Sequence, residues 1–151
     1  MTGNAIDLLA YCLMPNHFHL LIMLNRTLDF PNTMRSFSTS YVKSFNRFNN
    51  RTGHLFEGDY QAKAVTKENH PPNVIRYIHL NAVFAGLVAN PEDWHYSDYA
   101  QWIDDGPHLS KPSLDLRQML FGTGTDYRRF AREHATAKAE QKKIEMLLNL
   151  A

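Results

Sequence analysis

The sequence is poor in several features that define whole classes of protein. Its 151 residues include a single cysteine, Cys12, which excludes an internal disulfide framework and a zinc module built from several cysteines. No apolar run approaches the roughly 18 residues of a membrane span. The first residues carry no lysine or arginine, unlike a secretory signal peptide. We therefore expect a cytoplasmic protein that does not enter a membrane.

Net charge is also small, at +1, but the charges are unevenly distributed. Lysine and arginine outnumber acidic residues between positions 26 and 67, whereas acidic residues dominate positions 88–126. This pattern indicates a polarised surface rather than a uniformly basic nucleic-acid coat. With 44% hydrophobic residues, a chain of this length can bury a core of its own.

Two short apolar runs open the chain, over residues 5–13 and 17–24. They flank Pro15 and Asn16, two residues that favour turns. Short apolar runs around such a break predict a hairpin of buried strands.

The hydrophobic period then changes to three or four residues and predicts a helix over 34–49, capped by Asn32 or Thr33. Its apolar stripe is expected to pack in the core and consists of Met34, Phe37, Tyr41, Phe45 and Phe48.

Further along the chain, alternation predicts one more strand and helical spacing predicts three more helices. The strand is expected over 59–66 and the helices over 73–87, 114–121 and 127–150. This order indicates an α+β fold with a mostly antiparallel sheet. Three strands are few beneath such helices, so a fourth strand is expected to be missing from the chain or supplied by a partner.

The segment His17-Phe18-His19 places two imidazoles on one face of the second strand, because side chains two residues apart point the same way. Phe18 and Leu20 are then expected to face the core. Neutral imidazole is the commonest protein metal donor, so the pair predicts part of a metal site. The alternative that stays open is two strand histidines exposed on a sheet face.

On the helix over 73–87, Tyr77 and Asn81 are four residues apart and share one face. One interpretation is a surface pair without a function. The other makes Tyr77 a nucleophile and Asn81 an oxygen ligand of the same metal. A tyrosine hydroxyl has a pKa of about 10, so it needs activation, and a metal that polarises a phosphate would supply it.

Four segments together resemble one protein family in their order along the chain. They are MPNHFHLL, FNRFNNRTGHLFEGDYQAKAV, RYIHLNAVFAGLV and PEDWHYSDYAQW. Over about residues 5–103 the chain resembles the single-tyrosine HUH transposases of bacterial insertion sequences. It is most similar to their REP-associated tyrosine transposase branch.

The resemblance implies a role for each matched residue. His17 and His19 would be the metal ligands of the HUH motif, Asn81 the third ligand, and Tyr77 the catalytic nucleophile. The implied cofactor is a divalent metal, Mg²⁺ or Mn²⁺. The implied reaction is cleavage of single-stranded or hairpin DNA through a 5′-phosphotyrosine, followed by strand transfer.

The resemblance also implies a ferredoxin-like antiparallel sheet with helices on one face, and a homodimer. Relatives carry a strand and a helix ahead of the segment that matches His17, and these are absent here. We therefore expect an N-terminally incomplete catalytic domain over 1–89 and a helical C-terminal extension over 90–151.

Basic residues along and beyond the first helix are expected to contact DNA. The neighbouring aromatics are expected to pack in the core. They are Arg35, Lys43, Arg47, Arg51 and Lys63. Tyr60 is a rival nucleophile expected to pack as a strand aromatic. His79 is a rival ligand, and His54 lies in a basic loop where solvent exposure is expected.

Three functions remain open at this point. The first is a DNA strand transferase that acts through Tyr77. The second is a truncated or domesticated protein that binds hairpin DNA without cutting it. The third is a metal-dependent hydrolase that uses His17, His19 and a water molecule, which would leave no protein–DNA adduct.

Overall fold

A computed structural model describes residues 5–26, 29–67 and 70–133. The chain divides into two compact units. One contains Leu24–Lys63 together with Ala5, and the other contains Ile6–Met23 and the described residues between 64 and 133. Residues on both sides of the predicted domain boundary at 89 and 90 belong to the second unit, and the boundary itself stays a prediction.

The predicted hairpin forms the sheet of the second unit. Strand β1 covers Ile6–Leu13 and strand β2 covers Phe18–Leu24. These two strands make up the only sheet in the part of the chain that the structure describes. The Met14 amide donates to the His17 carbonyl at 2.8 Å and closes the turn between them. Pro15 and Asn16 occupy this turn, as their preferences indicate.

The strand predicted over 59–66 is wrong, because residues 59–66 form no regular element. The end of β1 pairs instead with a later segment, in an antiparallel bridge between Cys12 and Ser97. The Leu13 amide donates to the Tyr96 carbonyl at 2.8 Å in the same stretch. With β2 on one edge and this segment on the other, the end of β1 has no edge left to pair with a further strand.

Helix α2 covers Pro71–Phe84 and begins with two prolines at positions where their missing N–H groups cost nothing. Gly86 follows its end with φ of 71°, a left-handed conformation that glycine adopts without strain. Every residue from Val74 to Ala82 is buried. A helix buried all round lies within the core, so α2 is the central element of this unit.

A short 3-10 helix, Pro91–Asp93, and three α-helices follow α2 in the described residues. Helix α3 covers Tyr99–Ile103, α4 covers Lys111–Leu120 and α5 covers Gly124–Glu133. Residues 134–150 of the helix predicted over 127–150 lie outside the described residues. The largest fully buried side chains of the protein include Trp102, Tyr99 and Tyr127.

The first unit contains helix α1, which covers Phe30–Phe48. Asp29 caps it by accepting from the Asn32 amide at 3.2 Å, so the predicted cap at Asn32 or Thr33 is wrong by one turn. None of the residues of α1, all of them described, is buried. Phe37 and Tyr41 are 54% and 47% exposed, which contradicts the expected burial of the apolar stripe. These aromatics contact each other instead.

The described residues thus confirm the predicted α+β class, an antiparallel sheet with helices packed on it. None of the helices in the described ranges is long and apolar enough to cross a membrane.

Candidate active site

The turn between the strands presents the first histidine of the predicted pair. His17 lies directly before β2 and is exposed, so only His19 lies on the strand, where both were expected. Leu20, which was expected to face the core, is 36% exposed. The ring centroids of His17 and His19 are 4.9 Å apart with the rings edge to face. His17 Nδ1 lies 2.7 Å from Asn16 Oδ1, which can only accept, so Nδ1 carries the proton. In the neutral ring this leaves His17 Nε2 with a lone pair for a ligand.

His19 is the more buried of the two, and its Nε2 has no hydrogen-bond partner among the described residues. Burial and, as a smaller cause, the neighbouring His17 together lower the pKa of His19 to about 4, against an opposing effect of the Asn81 carboxamide. The ring is therefore neutral at pH 7. An unpartnered imidazole nitrogen inside a protein is unusual, and a bound cation would satisfy it.

Helix α2 brings Tyr77 and Asn81 to these histidines. The ring centroids of Tyr77 and His19 are 5.5 Å apart, edge to face. Asn81 donates from Nδ2 to the Tyr77 carbonyl at 3.2 Å, one helical turn back. This bond leaves the Asn81 amide oxygen as the group that can serve as a ligand. Both residues are buried, with Tyr77 5% and Asn81 7% exposed.

The structure therefore brings together four residues that the sequence singled out: His17, His19, Tyr77 and Asn81. In the described ranges no three His, Cys, Asp or Glu side chains are placed to hold one metal ion. The third candidate ligand here is a carboxamide, which lies outside that set of side chains. Two imidazole nitrogens and an amide oxygen form a donor set that suits a divalent cation such as Mn²⁺.

The five basic residues predicted to contact DNA all belong to the first unit and are all exposed. Three of them project from α1, namely Arg35, Lys43 and Arg47. Arg51 lies beyond the helix, where its guanidinium is 5.7 Å from the Phe45 ring and donates to the His54 carbonyl at 3.0 Å. Lys63 is the last residue of the unit. The unit thus carries exposed positive charge, as a DNA-contacting surface needs.

The rival residues have other surroundings. His79 is fully buried, and its two ring nitrogens lie within hydrogen-bond distance of Asp98 and Tyr127. It is therefore a core histidine with both nitrogens occupied and not a metal ligand. Tyr60 contacts the Phe30 ring in the first unit, and His54 is exposed as expected.

Sequence reasoning missed Asp98 and its partners. The Asp98 carboxylate accepts from the Tyr11 amide at 2.7 Å and from Trp102 Nε1 at 3.0 Å, besides its contact with His79. The available signal was the aspartate within PEDWHYSDYAQW, a segment already noted for its resemblance. Two aromatics of this segment, Tyr99 and Trp102, belong to the core.

Comparison with known families identifies the class of protein. Residues 1–81 match the family model described as "Transposase IS200 like". The match covers more than half of the chain and includes all four residues of the candidate site, and the chain belongs to this family. No curated protein and no solved structure matches the chain.

Proposed function

We propose that this transposase cleaves and rejoins single-stranded DNA with Tyr77 as its nucleophile. One observation carries the proposal: the rings of Tyr77 and His19 meet edge to face, beside His17 and one helical turn from Asn81. A nucleophile next to a metal-type donor set is what phosphoryl transfer without a nucleotide cofactor requires. The HUH motif and the REP-associated branch are part of this proposal, supported by the four segments that resemble that branch.

The residues present fit a divalent cation. His17 Nε2, His19 Nε2 and the Asn81 amide oxygen would hold it. The pKa of about 4 keeps His19 neutral and able to donate its lone pair at physiological pH. Mg²⁺ or Mn²⁺ is the cofactor we propose, and the two imidazole ligands favour Mn²⁺ because Mg²⁺ prefers oxygen. When bound, such an ion polarises the scissile phosphate.

The reaction assigned to Tyr77 balances without an external energy source. The Tyr77 oxygen bonds to phosphorus and loses its proton, while the bond from phosphorus to the 3′-oxygen breaks. The departing oxygen takes up a proton and becomes a free 3′-hydroxyl. Because a 5′-phosphotyrosine replaces the phosphodiester, a 3′-hydroxyl can attack it later, rejoin a strand and release Tyr77. No ATP is needed.

The substrate we propose is single-stranded or hairpin DNA. Its backbone would contact the exposed basic residues of the first unit, whose affinity for phosphate depends on salt. They are Arg35, Lys43, Arg47, Arg51 and Lys63. A homodimer is the assembly we propose on the basis of the family resemblance.

Incubation of the protein with end-labelled hairpin DNA and Mn²⁺ tests the proposal. We expect a protein–DNA adduct that survives denaturation, is lost on chelation and is absent in Tyr77→Phe. Tyr60→Phe is the matched control, because it removes a hydroxyl from the other unit, and it should leave the adduct intact. An adduct that persists in Tyr77→Phe would contradict the assignment.

The burial of Tyr77 favours one alternative, a protein that binds hairpin DNA without cutting it. At 5% exposure the Tyr77 side chain offers little surface to a phosphate until the site opens. In that case the wild-type protein would retain DNA in a gel shift and form no adduct with any hairpin. Cutting without an adduct would instead indicate the metal-dependent hydrolase.

A further inference from the structure

One buried carboxylate links three elements around the candidate site. Asp98 is 5% exposed and accepts from the Tyr11 amide of β1 and the Trp102 indole of α3. Its third partner is His79 Nε2 of α2, at 3.0 Å. A buried carboxylate is costly unless donors surround it, and bonds to a charged acceptor are about twice as strong as neutral ones.

The other ring nitrogen of His79 also has a partner. His79 Nδ1 lies 2.5 Å from the hydroxyl of Tyr127 on α5, and both side chains are fully buried. Burial raises the pKa of Tyr127 well above its usual value, so the hydroxyl keeps its proton and can donate. With Nε2–H donating to Asp98 and Nδ1 accepting from Tyr127, the ring has one fixed orientation.

The segment that contains Asp98 also bonds with the end of β1, the strand that leads into the turn before His17. The Trp94 indole donates to the Leu13 carbonyl at 3.0 Å, and the Leu13 amide donates to the Tyr96 carbonyl. The turn that presents His17 begins at the next residue. The same short segment therefore fixes the end of β1 and, through Asp98, the helix α2.

His79 stands between Tyr77 and Asn81 on α2, so an anchor at this position limits rotation of the helix about its axis. We propose that Asp98 is a positioning residue, which fixes α2 against the β1–β2 hairpin through His79 and the Tyr11 amide. Given the function proposed above, this contact sets Tyr77 and Asn81 against the two histidines. Asp98 lies beyond residues 1–81, the part of the chain that the family model matches.

A nearly isosteric pair of substitutions separates positioning from general stabilisation. In His79→Gln the amide can still donate to Asp98 and accept from Tyr127, whereas His79→Met fills similar space and bonds to neither. In Asp98→Asn the new amino group faces a donor whichever way the amide turns. The matched control is Arg117→Gln, since the Arg117 guanidinium is buried but bonds with Trp102, Asp104 and Asp105 rather than with β1 or α2.

The direct readout is the nuclear Overhauser effect between the ring protons of Tyr77 and His19 in the metal-free protein. We expect it to weaken in Asp98→Asn and His79→Met, and to persist in His79→Gln and Arg117→Gln. An effect of equal strength in all four folded variants would overturn the proposal. If Asp98→Asn does not fold, the comparison of His79→Gln with His79→Met decides alone.

The second readout is the rate of adduct formation on hairpin DNA with Mn²⁺. A displacement of about 1 Å at a reacting centre costs up to about 100-fold, so His79→Met should slow the rate by about 10–100-fold. The rate should stay within about twofold of wild type in Arg117→Gln. A wild-type protein that forms no adduct would remove the proposed function, while the Overhauser comparison would still decide whether Asp98 fixes the site.

Discussion

Removal of one buried hydroxyl should measurably destabilise the protein. Tyr127→Phe keeps the ring, which packs against Trp102 and Phe121, and removes only the donor to His79 Nδ1. A buried acceptor that loses its partner costs about 1–3 kcal/mol. The substitution also removes the cost of burying the hydroxyl itself. We therefore expect the free energy of unfolding to fall by an amount near the lower end of this range, about 1–2 kcal/mol.

Urea denaturation followed by tryptophan fluorescence measures this loss, since Trp102 lies within the same core. For a protein of this size 1 kcal/mol corresponds to about 2–4 °C, so the melting temperature should fall by about 2–8 °C. The control is Tyr96→Phe, whose residue is 62% exposed and should change neither value. A loss below about 0.5 kcal/mol in Tyr127→Phe would refute the claim that the hydroxyl satisfies His79.

Three further predictions concern separate parts of the chain. A Cβ on Gly124 would lie 2.6 Å from the Ile103 carbonyl oxygen. Gly124→Ala should therefore lower the free energy of unfolding by about 1–3 kcal/mol, measured by thermal denaturation. Gly58→Ala is the control, because its Cβ would meet no atom within 4 Å, and it should leave the stability unchanged. Because the pKa of His19 falls from 6.5 to about 4 on folding, this imidazole is protonated in the unfolded chain but not in the folded protein between those two pH values. The metal-free protein should then lose up to about 3 kcal/mol of stability as the pH falls from 6.5 to 4, and His19→Gln should lack this component. Arg47→Ala should weaken binding to single-stranded DNA and lower the slope of log affinity against log salt by about 0.7; an unchanged slope would place this residue off the DNA.

Local periodicity predicted most of what forms the candidate site. The four-residue spacing of Tyr77 and Asn81 places this pair on one face of α2. The two-residue spacing of His17 and His19 predicted that their rings lie close together, although His17 lies in the turn before β2 and not on the strand. The hairpin and α2 follow from the same short-range patterns and from the prolines that precede them. Spacing along the sequence does not give the distance between the histidine pair and the pair on α2. Only the resemblance to the transposase family placed all four residues in one site.

The parts that sequence reasoning missed depend on contacts between distant residues. Asp98 bonds with Tyr11 across 87 positions, and His79 meets Tyr127 across 48. No local pattern reports such partners. The expected strand over 59–66 failed for a related reason, since alternation describes a segment but does not show whether another strand pairs with it.

For the apolar stripe of α1, the predicted helical spacing is confirmed and the predicted burial is wrong. Phe37 and Tyr41 do lie along the helix with the expected spacing and stack at 6.5 Å between ring centroids. Spacing shows which residues share a face, but it does not show what covers that face.

The central claim is that Tyr77 forms a covalent bond with DNA, and mass spectrometry of the nuclease-trimmed adduct tests it most directly. The chain has seven tyrosines, so the position of the modified residue is informative. We predict a nucleotide linked through a 5′-phosphate to the peptide that contains Tyr77, and to no other peptide. A nucleotide on Tyr60 or any other tyrosine, or cleaved DNA with no modified peptide, would contradict the account.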